Sequence, residues 1–270
     1  MKIRLLIFGL FFLSSTCIAQ VRQPSVLKKK VKGYKTLGYF KTDLKPGRHL
    51  GTIFMRTSSI TGDGFTPQAN RVSGTGDYTV TASNADSSSF EALFTIDGFA
   101  PSLSTVTISD SGKTIGFSGK KFPNREASGL VYNPAIWGTI KGFPKKGDEW
   151  TVNIDKSWEL GGAGKQLVSV IYADHKNFII ILKREGSGEG FYDNEPEEMI
   201  IKNGAESIKV KITPGTGHWN GYTTIQRGLI ISDELMATRP LTLITSDTIF
   251  HAIHREYIML NATLLSDKQK

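Results

Sequence analysis

The feature that most limits what this chain can fold into is its punctuation. Short runs of alternating, β-branched or aromatic residues are separated by Gly, Asn, Asp and Pro, and no amphipathic helix of convincing length interrupts them. Strands are expected at His49 to Ser59, Tyr78 to Ser83, Phe90 to Ile96, Ser104 to Ser109 and Thr114 to Ser118. Gly129 to Tyr132, Glu149 to Ile154, Gln166 to Ala173, Phe178 to Arg184 and Ser207 to Thr213 continue the series. Tyr222 to Ile231, Leu241 to Thr245 and Thr248 to Leu260 complete it.

Asp110-Ser111-Gly112-Lys113 and Asp174-His175-Lys176-Asn177 have the polar residues that hairpin turns require. Connections this short force antiparallel pairing. Phe178-Ile179-Ile180-Ile181-Leu182 is apolar on both faces, as in a central, doubly covered strand. Ser232 to Thr238 is the one helical candidate, opening on a capping residue and two acids and closed by Arg239-Pro240. The expected fold class is therefore all-β: an antiparallel meander forming a barrel, half-barrel or curved sandwich, with at most one or two short helices. No repeat of fixed length is visible, which argues against a propeller or solenoid.

The N-terminus reads as an export signal. Lys2 and Arg4 precede the apolar run Leu5 to Leu13, and small residues lead to Ala19, after which cleavage is expected before Gln20. The run is about half the roughly 20 residues a membrane-spanning helix needs. A rival reading makes Cys17 a lipidated first residue, but Leu13 stands one place too far from it. The chain is thus expected to be exported, to the periplasm or beyond. Residues 20–33 form a basic, flexible leader with Arg22, Lys28, Lys29, Lys30 and Lys32, and 34–270 form a single large β domain with a possible sub-boundary near 144–148.

Cys17 is the only cysteine, so after cleavage no disulfide and no thiolate chemistry remain. About 250 residues suffice to build a stable core without them. The formal charge is +8, of which Lys2 and Arg4 supply two. The other basic residues do not cluster with stacking aromatics, and no nucleic-acid partner is expected.

No catalytic set assembles. Of the five histidines, His251 and His254 lie on opposite strand faces, whereas His254 and Glu256 share one and could act as a His–carboxylate relay or be a plain polar pair. Gly186-Ser187-Gly188-Glu189-Gly190 lacks the spacing of a nucleophile elbow and reads as a flexible loop. Asp193, Glu195, Glu197 and Glu198 gather oxygen ligands, without the spacing of a calcium loop. No metal and no cofactor is expected. The best candidates for ligand binding are Trp158, Trp219 and Tyr222, where aromatic rings stand beside glycines; the alternative is that the tryptophans cap a core.

The function expected is a non-catalytic β-barrel-like protein that binds an apolar or amphipathic small ligand in the cell envelope. At fold level the expected architecture resembles lipocalin-like and periplasmic lipid-carrier folds, with no motif behind the likeness. The alternative is a secreted glycan-binding module or glycan-active enzyme that uses Trp158, Trp219 and Tyr222 as a platform.

Overall fold

The computed structural model describes residues 42, 44–110, 114–119, 130–139, 144–155, 160, 163–189 and 198–265. The export signal, the basic leader, Trp158 and the acidic residues Asp193, Glu195 and Glu197 lie outside them. The strands are β1 (His49–Gly62), β2 (Gln68–Ser83), β3 (Ser87–Ile96), β4 (Ser102–Ser109), β5 (Thr114–Gly119), β6 (Glu149–Ile154) and β7 (Ala163–Asp174). They continue with β8 (Ile179–Glu189), β9 (Glu198–Asn203), β10 (Glu206–Pro214), β11 (Gly217–Gln226), β12 (Leu229–Ile244) and β13 (Ile249–Leu265). One short helix, α1 (Pro134–Trp137), sits between β5 and β6.

All thirteen strands join one antiparallel sheet in the order β5-β4-β3-β2-β1-β13-β12-β11-β8-β7-β6. The hairpin β9–β10 branches off, with β10 pairing to the far part of β12. The all-β antiparallel expectation holds. The barrel alternative does not, because β5 and β6 end the order without pairing to each other, leaving a curved sheet or sandwich.

The strand order conceals an internal duplication. Lys45 to Arg48 and Lys145 to Asp148 form the same turn, with Gly47 at φ 85° and Gly147 at φ 94°. The Gly47 amide bonds the Val80 carbonyl and the Gly147 amide the Val170 carbonyl, both at 2.8 Å. Thr81 is bulged out after Val80 and Ile171 after Val170. Three residues later Asn84 and Asp174 each accept two backbone N–H groups through Oδ1, closing equivalent turns. A second bulge recurs at Thr107/Ile108 and at Thr224/Ile225. A bulge adds one unpaired residue and bends its strand, so two bulges at matched places bend both units alike. The first unit is β1–β5; the second is β6, β7, β8, β11 and β12. The hairpin β9–β10 is inserted into the second unit, and β13 zips the first strand of one to the last strand of the other.

Several expectations need correction. Ser232 to Thr238 is strand, within β12, because its alternation places Asp233, Leu235 and Ala237 inward, and partners on both sides complete its backbone pairing. Pro240 does not end the element. Its carbonyl accepts from Gly215, so the missing N–H falls on the same side, in the gap where β12 leaves β11 and meets β10. Tyr222 to Ile231 is two strands, split by Arg227 and Gly228, both at positive φ as a tight hairpin requires. The described part of Gly129 to Tyr132 makes a single bridge, Val131 to Leu229. Gly186, Ser187 and Gly188 are no loop but lie in β8, paired on both edges.

Among the described residues, three apolar clusters form the core. The first gathers Leu50, Tyr78, Phe90, Val106 and Ala262 from the first unit and β13. The second gathers Trp137, Val168, Leu182, Trp219, Leu235 and Ile258. The third joins Phe65, Ile201, Val210, Leu241, Leu243 and Ala252 around the inserted hairpin.

Candidate functional site

The two units carry different chemistry at equivalent inward positions. In the second unit Arg184 of β8 is fully buried and directs Nη2 at both oxygens of Asp233, at 2.9 and 2.7 Å. Thr223 donates to Asp233 Oδ1 at 2.6 Å and accepts from Trp137 Nε1 at 3.1 Å. The corresponding residues of the first unit are Ala92, Phe117 and Val106, an apolar set. This polar network holds α1 against the sheet. Asn133 caps the helix by accepting from the Ala135 amide, Pro134 supplies its first turn, and Gly138 ends it at φ 82°. Gln166 donates to the Ile136 carbonyl, Trp150 to the Trp137 carbonyl and Tyr132 to the Gly138 carbonyl. The Arg184 guanidinium lies 5.6 Å from the centre of the Trp137 ring, which stacks on Tyr132. Arg184 Nη2, Asp233, the Thr223 hydroxyl and the Trp137 indole N–H are satisfied by one another.

A second inward polar group, buried at Arg239, His254 and Glu256 and half-buried at Arg56 and Ser58, has a different character. It lies on β1, β13 and β12, the three strands that join the two units. Alternation turns Arg56 and Ser58 of β1, His254 and Glu256 of β13, and Arg239 of β12 to the inner face. Register sets Ser58 opposite Glu256 and Arg239 opposite His254. Arg56 donates through Nε to Glu256 Oε1, and Ser58 Oγ lies 3.0 Å from His254 Nε2. The second oxygen of Glu256 is buried and meets no donor among the described residues. Burial raises the Glu256 carboxyl above the usual carboxylate range, against the pull of Arg56. Burial, then Arg239 and Arg56, push the His254 imidazole down to about 4.

A general base must hold the proton it removes. Two nearby guanidiniums and burial disfavour the imidazolium, so the Ser58–His254 pair is poorly suited to activate a nucleophile. The group brings together two guanidiniums, a hydroxyl, a neutral imidazole and a carboxyl whose second oxygen is buried without a donor among the described residues. Along β13 this polar seam follows Ala252 of the third apolar cluster and precedes Ile258 of the second and Ala262 of the first.

The structure separates the aromatic residues expected to bind ligand. Trp219 is 6 % exposed on the inner face of β11, with its Nε1 bonded to Gln166 Oε1 at 3.1 Å. Its ring lies across Gly164 and Gly186, where no Cβ would fit. Tyr222 is 45 % exposed and, three residues on, points to the opposite face. Trp158 is outside the described residues. His251 is exposed and His254 buried, on opposite faces as expected. Glu198 pairs with Lys209 at the surface.

The sequence reading paired His254 with Glu256 but missed Arg56, Ser58 and Arg239. The signal was there: Leu235, Ala237, Arg239, Leu241 and Leu243 occupy alternate places, so an inward-facing strand carries one arginine among apolar residues. Among the described residues no helix is long and apolar enough to cross a membrane, and no group of three His, Cys, Asp or Glu is placed to hold a metal ion. The chain matches no family model, and no curated protein is similar to it in sequence.

Proposed function

We propose that this is an exported, non-catalytic β protein that binds an apolar or amphipathic small ligand in the cell envelope. One observation supports the reading above others: a buried polar seam lies between apolar clusters on one face of an open sheet. Buried charge flanked by apolar side chains is what a molecule with a polar head and a hydrocarbon body requires. Export is inferred from Lys2 to Ala19, and a mature chain beginning at Gln20 is the expected product.

Titration of the mature protein with Nile red, an uncharged dye that brightens in apolar surroundings, tests the binding reading. Saturable enhancement at a stoichiometry near one is expected. No enhancement from protein shown by circular dichroism to be folded would count against it. Glycan recognition, the alternative, would rest on Tyr222 alone among the described candidates, since Trp219 is turned inward.

A further inference from the structure

The inner face of β13 meets guanidiniums between Ala252 and Ile258, and a carboxylate, Asp233 of β12, further along opposite Leu260. Arg56 reaches the first of these places from β1 and Arg239 from β12, on either side of the strand. The Arg239 Nε also lies beside Gly217 of β11, on the other side of β12, at a distance that a side chain at Gly217 would still allow. Planar guanidiniums match the paired oxygens of a carboxylate or phosphate better than any other side chain does. Glu256 adds a second, independent requirement. Its Oε1 is held by Arg56, while Oε2 is buried and without a donor among the described residues. A buried oxygen left unpaired is costly, so a bound group that shares a proton with it is favoured.

We infer that the seam binds the acidic oxygen head of an amphipathic molecule, a carboxylate or phosphate monoester, between the guanidiniums of Arg56 and Arg239, with one proton shared between the head and Glu256 Oε2. The inference rests on the ligand-binding reading above and specifies its polar end. It assigns Arg56, Arg239 and Glu256 to direct contact with the head, with Ser58 and His254 as neighbours that keep water and other cations out. The apolar clusters on either side of the seam would receive the hydrocarbon.

The test is displacement of bound Nile red from the mature protein by dodecanoate, dodecyl phosphate, dodecanol and inorganic phosphate, each below its aggregation threshold. The acids should displace the dye at concentrations roughly tenfold or more below the alcohol, as a charge-assisted contact implies. Inorganic phosphate should not displace it. Arg239→Gln should remove most of the preference for acid over alcohol, and Arg239→Lys should restore part of it. Equal potency of dodecanoate and dodecanol would overturn the assignment of the seam and leave the ligand-binding reading standing. Displacement by inorganic phosphate at the potency of dodecyl phosphate would overturn the amphipathic part. An acid preference undiminished in a folded Arg239→Gln protein would overturn the role of Arg239. If the variant does not fold, the acid-to-alcohol ratio of the unaltered protein decides. Failure of Nile red itself to bind would instead remove the ligand-binding reading.

Discussion

Ser58 and His254 meet at 3.0 Å although 196 residues separate them, because β1 and β13 pair with Ile60 opposite His254 and Ser58 opposite Glu256. The strand that opens the first unit and the last described strand thus build one polar seam. An imidazole at that place is neutral in the fold and ordinary in the unfolded chain, which has consequences for stability.

The His254 imidazole is pushed down to about 4 in the folded protein, from 6.5. Between those values the unfolded chain takes up a proton that the folded one refuses, so stability falls as pH drops from about 6.5 to about 4. The loss approaches about 3 kcal/mol at the acid end. Glu256 works the other way: its carboxyl is raised in the fold, so protonation at acid pH relieves a cost. Urea denaturation at a series of pH values should show the decline, and His254→Gln should flatten it between pH 6.5 and 4. An equal slope in the variant would remove His254 as the cause.

Breaking the Arg184–Asp233 pair should cost more than replacing it. Asp233→Asn leaves a fully buried guanidinium beside a neutral amide, and a loss of about 3–5 kcal/mol is expected. The double variant Arg184→Met/Asp233→Leu should recover a large part, since the first unit keeps Ala92 and Phe117 at these places. A double variant as unstable as Asp233→Asn in chemical denaturation would contradict this.

Trp219 and Gly186 form a matched pair. A Cβ on Gly186 would strike the indole and the neighbouring strand backbone. Gly186→Ala should therefore be destabilising, and Trp219→Ala should cost about 3–5 kcal/mol through the cavity it leaves. The two together should cost clearly less than their sum. Strict additivity would mean that the ring does not rest on Gly186.

The duplication has its own test. Gly47 and Gly147 both have positive φ with open space where a side chain would go. Each Gly→Ala substitution should cost about 1–2 kcal/mol through backbone strain alone. Similar losses of urea midpoint in the two variants are expected. A large loss at one and none at the other would mean that the two turns are not equivalent.

The period-two alternation of segments such as Ser104 to Ser109 and Gln166 to Ala173 made the strands legible, because burial on one face dictates it. The duplication was not legible. Few side chains are shared between Tyr78-Thr79-Val80 and Val168-Ser169-Val170, and the inserted β9–β10 hairpin destroys any constant spacing. What recurs is backbone: a glycine at positive φ, an Asn or Asp turn, two bulges. Helix α1 was missed because four residues carry no periodicity, although Asn133-Pro134 and Gly138 bound it plainly. Ser232 to Thr238 misled in the opposite direction, since capping residues on a strand face look the same in sequence as those at a helix start. Half of the seam was readable, because His254 and Glu256 lie on one strand. Arg56, Ser58 and Arg239 come from other strands, and only the pairing of β1, β13 and β12 brings them in.

The most direct test of the ligand-binding account is extraction of the purified protein with organic solvent, followed by mass spectrometry of what is released. An acidic amphipathic molecule at a stoichiometry near one, reduced in protein carrying Arg239→Gln, is the expected result. Protein that is folded, releases no such molecule and takes none up from a mixed lipid extract would contradict the account.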